Sequence, residues 1–142
     1  MIGLGLRMIA VADTHNVERA GRLTLQPIKR ALYELLESSP YIKATAVVRV
    51  SGLSVEAIMP PNIEEERVSA MAAVMLLLGE RITEAMETGR LDKVYIKGAD
   101  GHIILMAVGR QAVLTVMATD KAPLGLLFVE MRAAANRLKR LV

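Results

Sequence analysis

Cysteine and tryptophan are absent from this 142-residue chain, and its aromatic residues are limited to one phenylalanine and three tyrosines. Without cysteine there can be no disulfides, no thiolate chemistry and no cysteine-ligated structural zinc. A reducing compartment fits this composition, so we expect a cytoplasmic protein. Proteins that bind single-stranded nucleic acid stack its bases on aromatic side chains, and four rings are too few for such a platform. No nucleic-acid partner is predicted.

The chain also has no apolar run of about 18 residues, the length that a helix needs to cross a bilayer, so no membrane span is predicted. Its apolar opening, residues 1–12, superficially resembles a signal sequence. That stretch has no basic start and Arg7 interrupts it, which argues against secretion. The formal net charge of +3 is spread over interleaved acidic and basic residues rather than gathered in one basic patch.

Aliphatic residues and methionines dominate what is present. Hydrophobic residues make up 53% of the chain, and nine residues are methionines, which fill irregular gaps and suit adaptable interfaces. A chain of this length can bury a core as one domain. Residues 1–24 show no clear period, and we interpret them as an N-terminal arm that precedes a single domain spanning residues 25–142.

The spacing of apolar residues predicts the order α-β-β-α-β-β-β-α. Apolar residues recur at helical spacing in residues 26–38 and 124–138, and they alternate in residues 42–50. Ser51-Gly52 predicts a hairpin turn, and hairpins require antiparallel strands. Residues 103–108 are apolar on both faces, which indicates a strand covered from both sides. The predicted fold class is therefore α+β, a five-stranded antiparallel sheet with helices on both faces.

The long helix predicted between the second and third strands is apolar almost all the way round. Asn62 is its predicted N-cap, Ile63 its first residue and Gly89 its C-terminal cap. On a helical wheel, one stripe is expected to cover the sheet: Val68, Met71, Ala72, Met75, Ile82 and Met86. Four more small or apolar residues then fall on the far side, where a single chain would expose them: Ala70, Ala73, Val74 and Leu77. Such a surface usually marks a partner site, although a helix enclosed within one domain is the alternative.

The strand predicted after this helix, residues 91–97, has a different pattern on each face. Val94 and Ile96 lie on one face, and Lys93, Tyr95 and Lys97 lie on the other. Lysines on a strand are typical of a sheet edge that is protected by charge. We therefore expect residues 91–97 to form an edge strand.

Residues that could carry metal or phosphate chemistry are few. His15 and His102 have no second histidine or carboxylate at metal-ligand spacing, so both are interpreted as solvated turn residues and no metal is predicted. The glycine pairs at residues 3–5 and 98–101 lack the strand, helix and lysine of a phosphate-binding loop. No cofactor is predicted.

One catalytic role remains to be weighed, an arginine that reaches into the active site of another protein and stabilises a phosphoryl-transfer transition state. Arg67, Arg81 and Arg110 are the candidates, and we interpret each as a solvated charge. The sequence therefore predicts a protein that is not an enzyme.

Several segments, in this order and spacing, resemble the roadblock/dynein light-chain family, in particular its prokaryotic GTPase-regulator branch. They run from about Leu25 to Leu138, whereas the arm has no counterpart in the usual domain. The segments that carry the resemblance are Ser51-Gly52-Leu53, residues 71–81, residues 89–94, Gly98-Ala99-Asp100-Gly101, residues 112–116 and residues 124–132.

The resemblance implies a roadblock/profilin-like fold and a homodimer whose sheets join edge to edge beside paired long helices. Family members bind or regulate small Ras-like GTPases, serve as scaffolds or act as dynein light chains. The dimer interface implied for this chain comprises Met71, Val74, Met75, Leu78, Val94, Tyr95 and Ile96. The surface left for a small Ras-like GTPase comprises Ala70, Ala73, Leu77 and Arg81. The alternative function is a structural dimerisation module of a larger assembly with no GTPase partner.

Overall fold

A computed structural model describes residues 26–142 of the protein. The predicted arm, residues 1–24, and His15 within it lie outside the described residues. The helices and strands are α1 (residues 26–37), β1 (Ile42–Arg49), β2 (Ser54–Ile58), α2 (Glu65–Ala85), β3 (Lys93–Gly98), β4 (Gly101–Val108), β5 (Ala112–Thr119) and α3 (Leu124–Leu138). This order confirms the predicted fold class.

The five strands form one antiparallel sheet in the order β2-β1-β5-β4-β3. The hairpins β1–β2, β3–β4 and β4–β5 join neighbours, and the crossing through α2 carries the chain from one edge of the sheet to the other. β5 is the central strand, with Leu114 opposite Val47 of β1. β3 is an edge strand, as its lysines predicted.

The first and last helices cover one face of the sheet, which we call the closed face. The apolar stripes predicted for both helices are confirmed, because Ile28, Leu32 and Leu35 of α1 and Met131 and Leu138 of α3 are fully buried there. A polar contact also joins α1 to the sheet, since the Thr45 hydroxyl donates to the Leu32 carbonyl oxygen at 3.3 Å. This side of the molecule is a completed core.

The long helix α2 covers the other face, which we call the open face. The buried cluster beneath it consists of Ala72, Leu76, Leu105 and Val113. Half-buried side chains, among them Met75 and Val94, pack around that cluster. None of the helices in residues 26–142 combines the length and the apolar character that a bilayer crossing requires.

The ends of α2 differ from those predicted. The helix begins at Glu65, because residues 60–63 form a turn in which the Ile63 amide donates to the Pro60 carbonyl at 3.1 Å. Glu64 is the N-cap, without a side-chain capping bond, so the capping role predicted for Asn62 is wrong. The helix ends at Ala85, ahead of Glu87, which has a left-handed φ of 54°.

Candidate functional site

The orientation of α2 on the sheet decides which of its residues a partner could reach. Its buried side chains are Ser69, Ala72, Ala73 and Leu76. The prediction that Ala73 lies on the far side is therefore wrong, since it is only 9% exposed. The prediction that Met71, Ile82 and Met86 cover the sheet is also wrong, because all three are exposed.

Small side chains explain this orientation. Gly52, in the turn between β1 and β2, has a φ of 96°, a conformation that glycine adopts readily. A Cβ atom there would lie 3.7 Å from the Ala70 Cα atom and 3.9 Å from the Ala73 Cβ atom. Ser69, Ala72 and Ala73 thus bring α2 close to the sheet. Leu76 is buried beside them, and most of the other large apolar side chains of the helix are exposed.

The outward face of α2 carries a continuous row of large apolar residues, which we call the α2 stripe: Met71, Val74, Met75, Leu78, Ile82 and Met86. Val74 is 66% exposed and Leu78 is 49% exposed, while Met75 is half-buried. Their spacing of three and four residues makes them neighbours on the helix surface. Such a row is typical of a surface that another protein covers.

The edge strand β3 lies beside the α2 stripe. Val94 packs on the open-face cluster, and a Cβ atom at Gly79 of α2 would lie 3.2 Å from its Cγ2 atom. Ile96, two residues on, is exposed on the same face. Four predicted interface residues of α2 and two of β3 therefore form one accessible surface.

Tyr95 points to the opposite face of the sheet. Its hydroxyl is 2.8 Å from the Nδ1 atom of His102, and its ring meets that of Phe128 in α3 edge-on. Tyr95 thus remains at the edge of the sheet, half-exposed, but its side chain lies beside α3 and away from the α2 stripe.

His102 is buried, not solvated as the sequence suggested, and is only 4% exposed. Its Nε2 atom lies 3.4 Å from the Asp120 carbonyl oxygen, which can only accept a hydrogen bond. Nε2 is thus placed to donate to this carbonyl, and Nδ1 lies within hydrogen-bond distance of the Tyr95 hydroxyl. The alternation of β4 could have indicated this, because His102 shares a face with Ile104 and Met106.

A groove separates α2 from the turn between β1 and β2. We call it the α2 groove, and its main lining residues are Val50, Leu53, Ala70, Val74, Leu77 and Arg110. Leu53 is 68% exposed at its rim. Ala70 and Leu77, both predicted to bind a partner, line this groove, and Ala73 lies at its floor. Arg81 is exposed on the same helix.

The α2 groove continues along the helix into a second depression, which we call the acidic cleft. Its ionisable lining residues are Glu80, Glu84, Glu87, Arg90 and Arg110, and two of them, Glu80 and Arg110, also line the groove. Within residues 26–142, none of the three carboxylates has an ion-pair partner within 4.0 Å. Groove and cleft therefore adjoin along α2. We call the two together the channel, which is apolar at one end and has three carboxylates and two guanidinium groups at the other.

An ion-pair cluster fixes the start of β3 to α3. Asp92 is paired with Arg132 of α3 and with Lys93, whose Nζ atom also lies 4.9 Å from the centre of the Phe128 ring. Burial raises the pKa of Asp92, but the hydrogen bonds and charges of Arg132 and Lys93 outweigh it and hold that pKa below its usual value. The cluster explains the position of β3 and supplies no catalytic geometry.

The arginine-finger candidates do not converge. Arg67 is paired with Glu64 at 3.2 Å at the start of α2, whereas Arg110 lies in the β4–β5 turn beside the channel. Within residues 26–142, no group of three or more histidine or carboxylate side chains is placed to hold a metal ion.

Comparison with known proteins relates the chain to one family. The Roadblock/LC7 domain family matches residues 29–118. An uncharacterized protein of Methanocaldococcus jannaschii is 31% identical over 112 residues, which cover 79% of this chain and 96% of that relative. A second uncharacterized protein of the same organism is also 31% identical over 112 residues, with the same coverage.

Solved structures share the fold. Myxococcus xanthus MglB has a TM-score of 0.77 at 18% identity, covering 82% of this chain and 91% of that chain. The gliding protein MglB of Thermus thermophilus has a TM-score of 0.74 at 14% identity, with coverages of 83% and 90%. A Roadblock/LC7 domain from Streptomyces avermitilis has a TM-score of 0.73 at 16% identity, with coverages of 78% and 92%. Fold, element order and family match agree, and the chain belongs to the Roadblock/LC7 domain family.

Proposed function

We propose that this protein is a dimeric, non-catalytic regulator or scaffold that binds a small Ras-like GTPase through its long central helices. The observation that carries the proposal is the exposure of large apolar side chains along α2, above all Val74, Leu77 and Leu78. Family membership supports it, since binding and regulation of such GTPases is what the roadblock resemblance implies.

The dimer rests on the continuity between the α2 stripe and β3. An edge strand presents unpaired backbone N–H and C=O groups that a second copy of the same strand can satisfy. Pairing β3 with its copy brings the two α2 helices side by side, so Met71, Met75 and Leu78 of each chain cover those of the other. A two-fold interface of this kind is self-complementary and needs no other partner.

The GTPase surface lies on the part of α2 that such a dimer leaves uncovered. Ala70, Leu77 and Arg81 are on the side of the helix away from β3, toward the turn between β1 and β2. The scattered arginines favour a positioning role, in which the protein holds the partner's own switch residues in place. At concentrations that saturate the complex, replacement of Arg67, Arg81 and Arg110 by Ala together should preserve any stimulation of hydrolysis. Loss of stimulation in a complex that still forms would contradict this.

The direct test is a pull-down with the small Ras-like GTPases of the same organism, each loaded with GDP or with a non-hydrolysable GTP analogue. We expect at least one to bind in a nucleotide-dependent way. Val74→Asp should abolish the complex, because a charge would be placed in an apolar interface. Val129→Asp, on the outer side of α3 and equally exposed at 66%, is the matched control and should bind like the wild type.

The same experiment distinguishes the alternative function. A structural dimerisation module would still dimerise and would still be disrupted by Val74→Asp, but none of the GTPases would bind in either nucleotide state. That result would contradict the GTPase part of the proposal but not the proposed dimer.

A further inference from the structure

The α2 groove remains open even in the proposed dimer. β3, where the second copy would pair, is at one edge of the sheet, and the β1–β2 turn that walls the groove is near the other edge. Leu53, Val50 and Leu77 leave apolar side chains exposed there. An apolar groove that self-association does not cover calls for a different occupant.

Charge along the channel indicates the chemistry of that occupant. Glu80 and Glu84 are four residues apart on one helix face, where like charges repel. Glu84 and Glu87 also lie at the C-terminal end of α2, whose partial negative charge disfavours carboxylates. No basic residue occupies the last turn of the helix to offset them. The fold is thus weakened by carboxylates that no described residue pairs with.

The opposite wall of the cleft does not neutralise these groups. Arg90 and Arg110 line it, so three carboxylates face two guanidinium groups, in a chain whose overall net charge is +3. The excess negative charge is therefore local, and it lies along α2 in line with the apolar part of the groove. A cationic side chain that enters from the groove reaches Glu80 and Arg110, which line both depressions, and then Glu84.

We propose that the channel binds an extended segment of the partner protein that presents an apolar residue and, about 10 Å further along, a lysine or arginine. The spacing follows from α2, because Leu77 and Glu84 are seven residues apart at about 1.5 Å per residue. Three residues of extended chain span the same distance at about 3.3 Å each. This inference rests on the proposed function and deepens it by naming what the partner offers to α2.

Two synthetic peptides test the inference without any GTPase. Both have a serine- and glycine-based sequence with one leucine, and the third residue after it is lysine in one peptide and glutamate in the other. In NMR titrations of the 15N-labelled full chain, we expect the lysine peptide to shift the amide signals of Leu77 and Glu84 saturably. The glutamate peptide should bind at least tenfold more weakly. Equal shifts with both peptides, or none with either, would overturn the inference.

Charge reversal in the cleft provides the decisive variant. Glu84→Lys combined with Glu87→Lys should reverse the preference between the peptides. The single change Glu84→Lys should also raise Tm by about 1–2 °C, because it removes repulsion and suits the helix end. Weaker binding of the lysine peptide by a more stable protein cannot come from misfolding. Unchanged peptide preference in the double variant contradicts the assignment.

A matched control changes charge by the same amount elsewhere. Glu130→Lys, on α3 at the other face of the sheet, should leave both peptide affinities as in the wild type. The GTPase pull-down is read separately. If no GTPase binds but the lysine peptide still binds more tightly than the glutamate peptide, the GTPase proposal fails and the channel assignment stands. If a GTPase binds but both peptides bind equally, the channel assignment fails and the GTPase proposal stands.

Discussion

The two faces of the sheet are covered to very different extents. Within residues 26–142, the closed face buries a cluster of nineteen apolar residues between α1, α3 and the sheet, whereas the cluster beneath α2 has four. The closed face encloses large side chains such as Leu32, Leu114 and Met131, with 0% exposure for each. On the open face, α2 buries the large apolar side chain of Leu76 but exposes five others: Met71, Val74, Leu77, Leu78 and Ile82.

The two faces therefore have different roles: one stabilises the fold, and the other presents apolar surface to another protein. The closed face supplies the apolar burial that stabilises a single domain. On the open face, α2 buries mostly small residues and exposes most of its large apolar ones, the reverse of what a helix does when its own sheet is its only neighbour. Four sets of substitutions, described from the largest expected effect to the smallest, test that division.

Truncation on the closed face should be far more costly than an identical truncation on the open face. Leu32→Ala removes a fully buried side chain and should lower the free energy of unfolding by about 2–5 kcal/mol. Leu78→Ala, at an exposed position, should lower the stability of the single chain by less than about 1 kcal/mol. Urea unfolding followed by circular dichroism measures both. Equal losses in the free energy of unfolding would show that α2 is buried as deeply as α1, which would contradict the difference between the two faces.

A charge in the α2 stripe should act on assembly rather than on folding. Leu78→Asp should weaken dimerisation roughly a hundredfold, about 2.7 kcal/mol, since the carboxylate would be desolvated at the interface. Leu126→Asp, at a comparably exposed position of α3, is the control and should leave the dimer intact. Sedimentation equilibrium distinguishes the two variants. A dimer that survives Leu78→Asp would place the interface elsewhere.

The two helices should respond differently to loss of a glycine. A Cβ atom at Gly125 of α3 would meet nothing within 4 Å, so Gly125→Ala should stabilise the protein by about 0.5–1 kcal/mol through helix propensity. At Gly79 of α2 a Cβ atom would lie 3.0 Å from a Leu91 methyl carbon and 3.2 Å from the Val94 Cγ2 atom. Gly79→Ala should therefore gain less or lose stability, as thermal unfolding would reveal. An equal gain at both sites would mean that β3 moves aside freely.

The smallest effect concerns the ion pairs that attach β3 to α3. Because the folded state lowers the pKa of Asp92, its contribution is fully present above the unfolded value of about 3.9 and is lost as pH falls through the folded value. The side chain is half-exposed, so Asp92→Asn should cost no more than about 0.5 kcal/mol at pH 7. The difference from the wild type should vanish once the pH is below the lowered pKa of Asp92 in the folded state. A difference that persists there would mean that packing, not charge, is responsible.

Much of the fold could be predicted from the sequence because each element has its own period. The stripe of α3 and the alternation of β1 follow directly from burial against one sheet face. The ends of α2 could not be placed as well, since the Pro60–Ile63 turn competes with the expected cap. His102 was misjudged because hairpin tips are usually solvated, whereas here the Tyr95 hydroxyl and the Asp120 carbonyl satisfy a buried ring.

The candidate site was harder to predict than the fold. A helical wheel showed that α2 has more apolar surface than its own sheet can cover, but it could not show which side of the helix contacts the sheet. The rule that larger apolar residues face inward fails here, because alanines and Ser69 make the closest approach. The acidic cleft was missed altogether. The sequence does contain a signal for it, because Glu80, Glu84 and Glu87 lie toward the C-terminal end of a helix, where lysine or arginine is stabilising.

The two edges of the sheet differ in length and in the residues that come after them. β3 runs for six residues, whereas β2 has five and is followed closely by Pro60 and Pro61, residues that cannot extend a backbone ladder. Joining two chains through β3 would leave a short, proline-terminated strand at both ends of the combined ten-stranded sheet. Growth would stop there, so an assembly joined in this way would be a closed particle of two chains rather than an open-ended fibre.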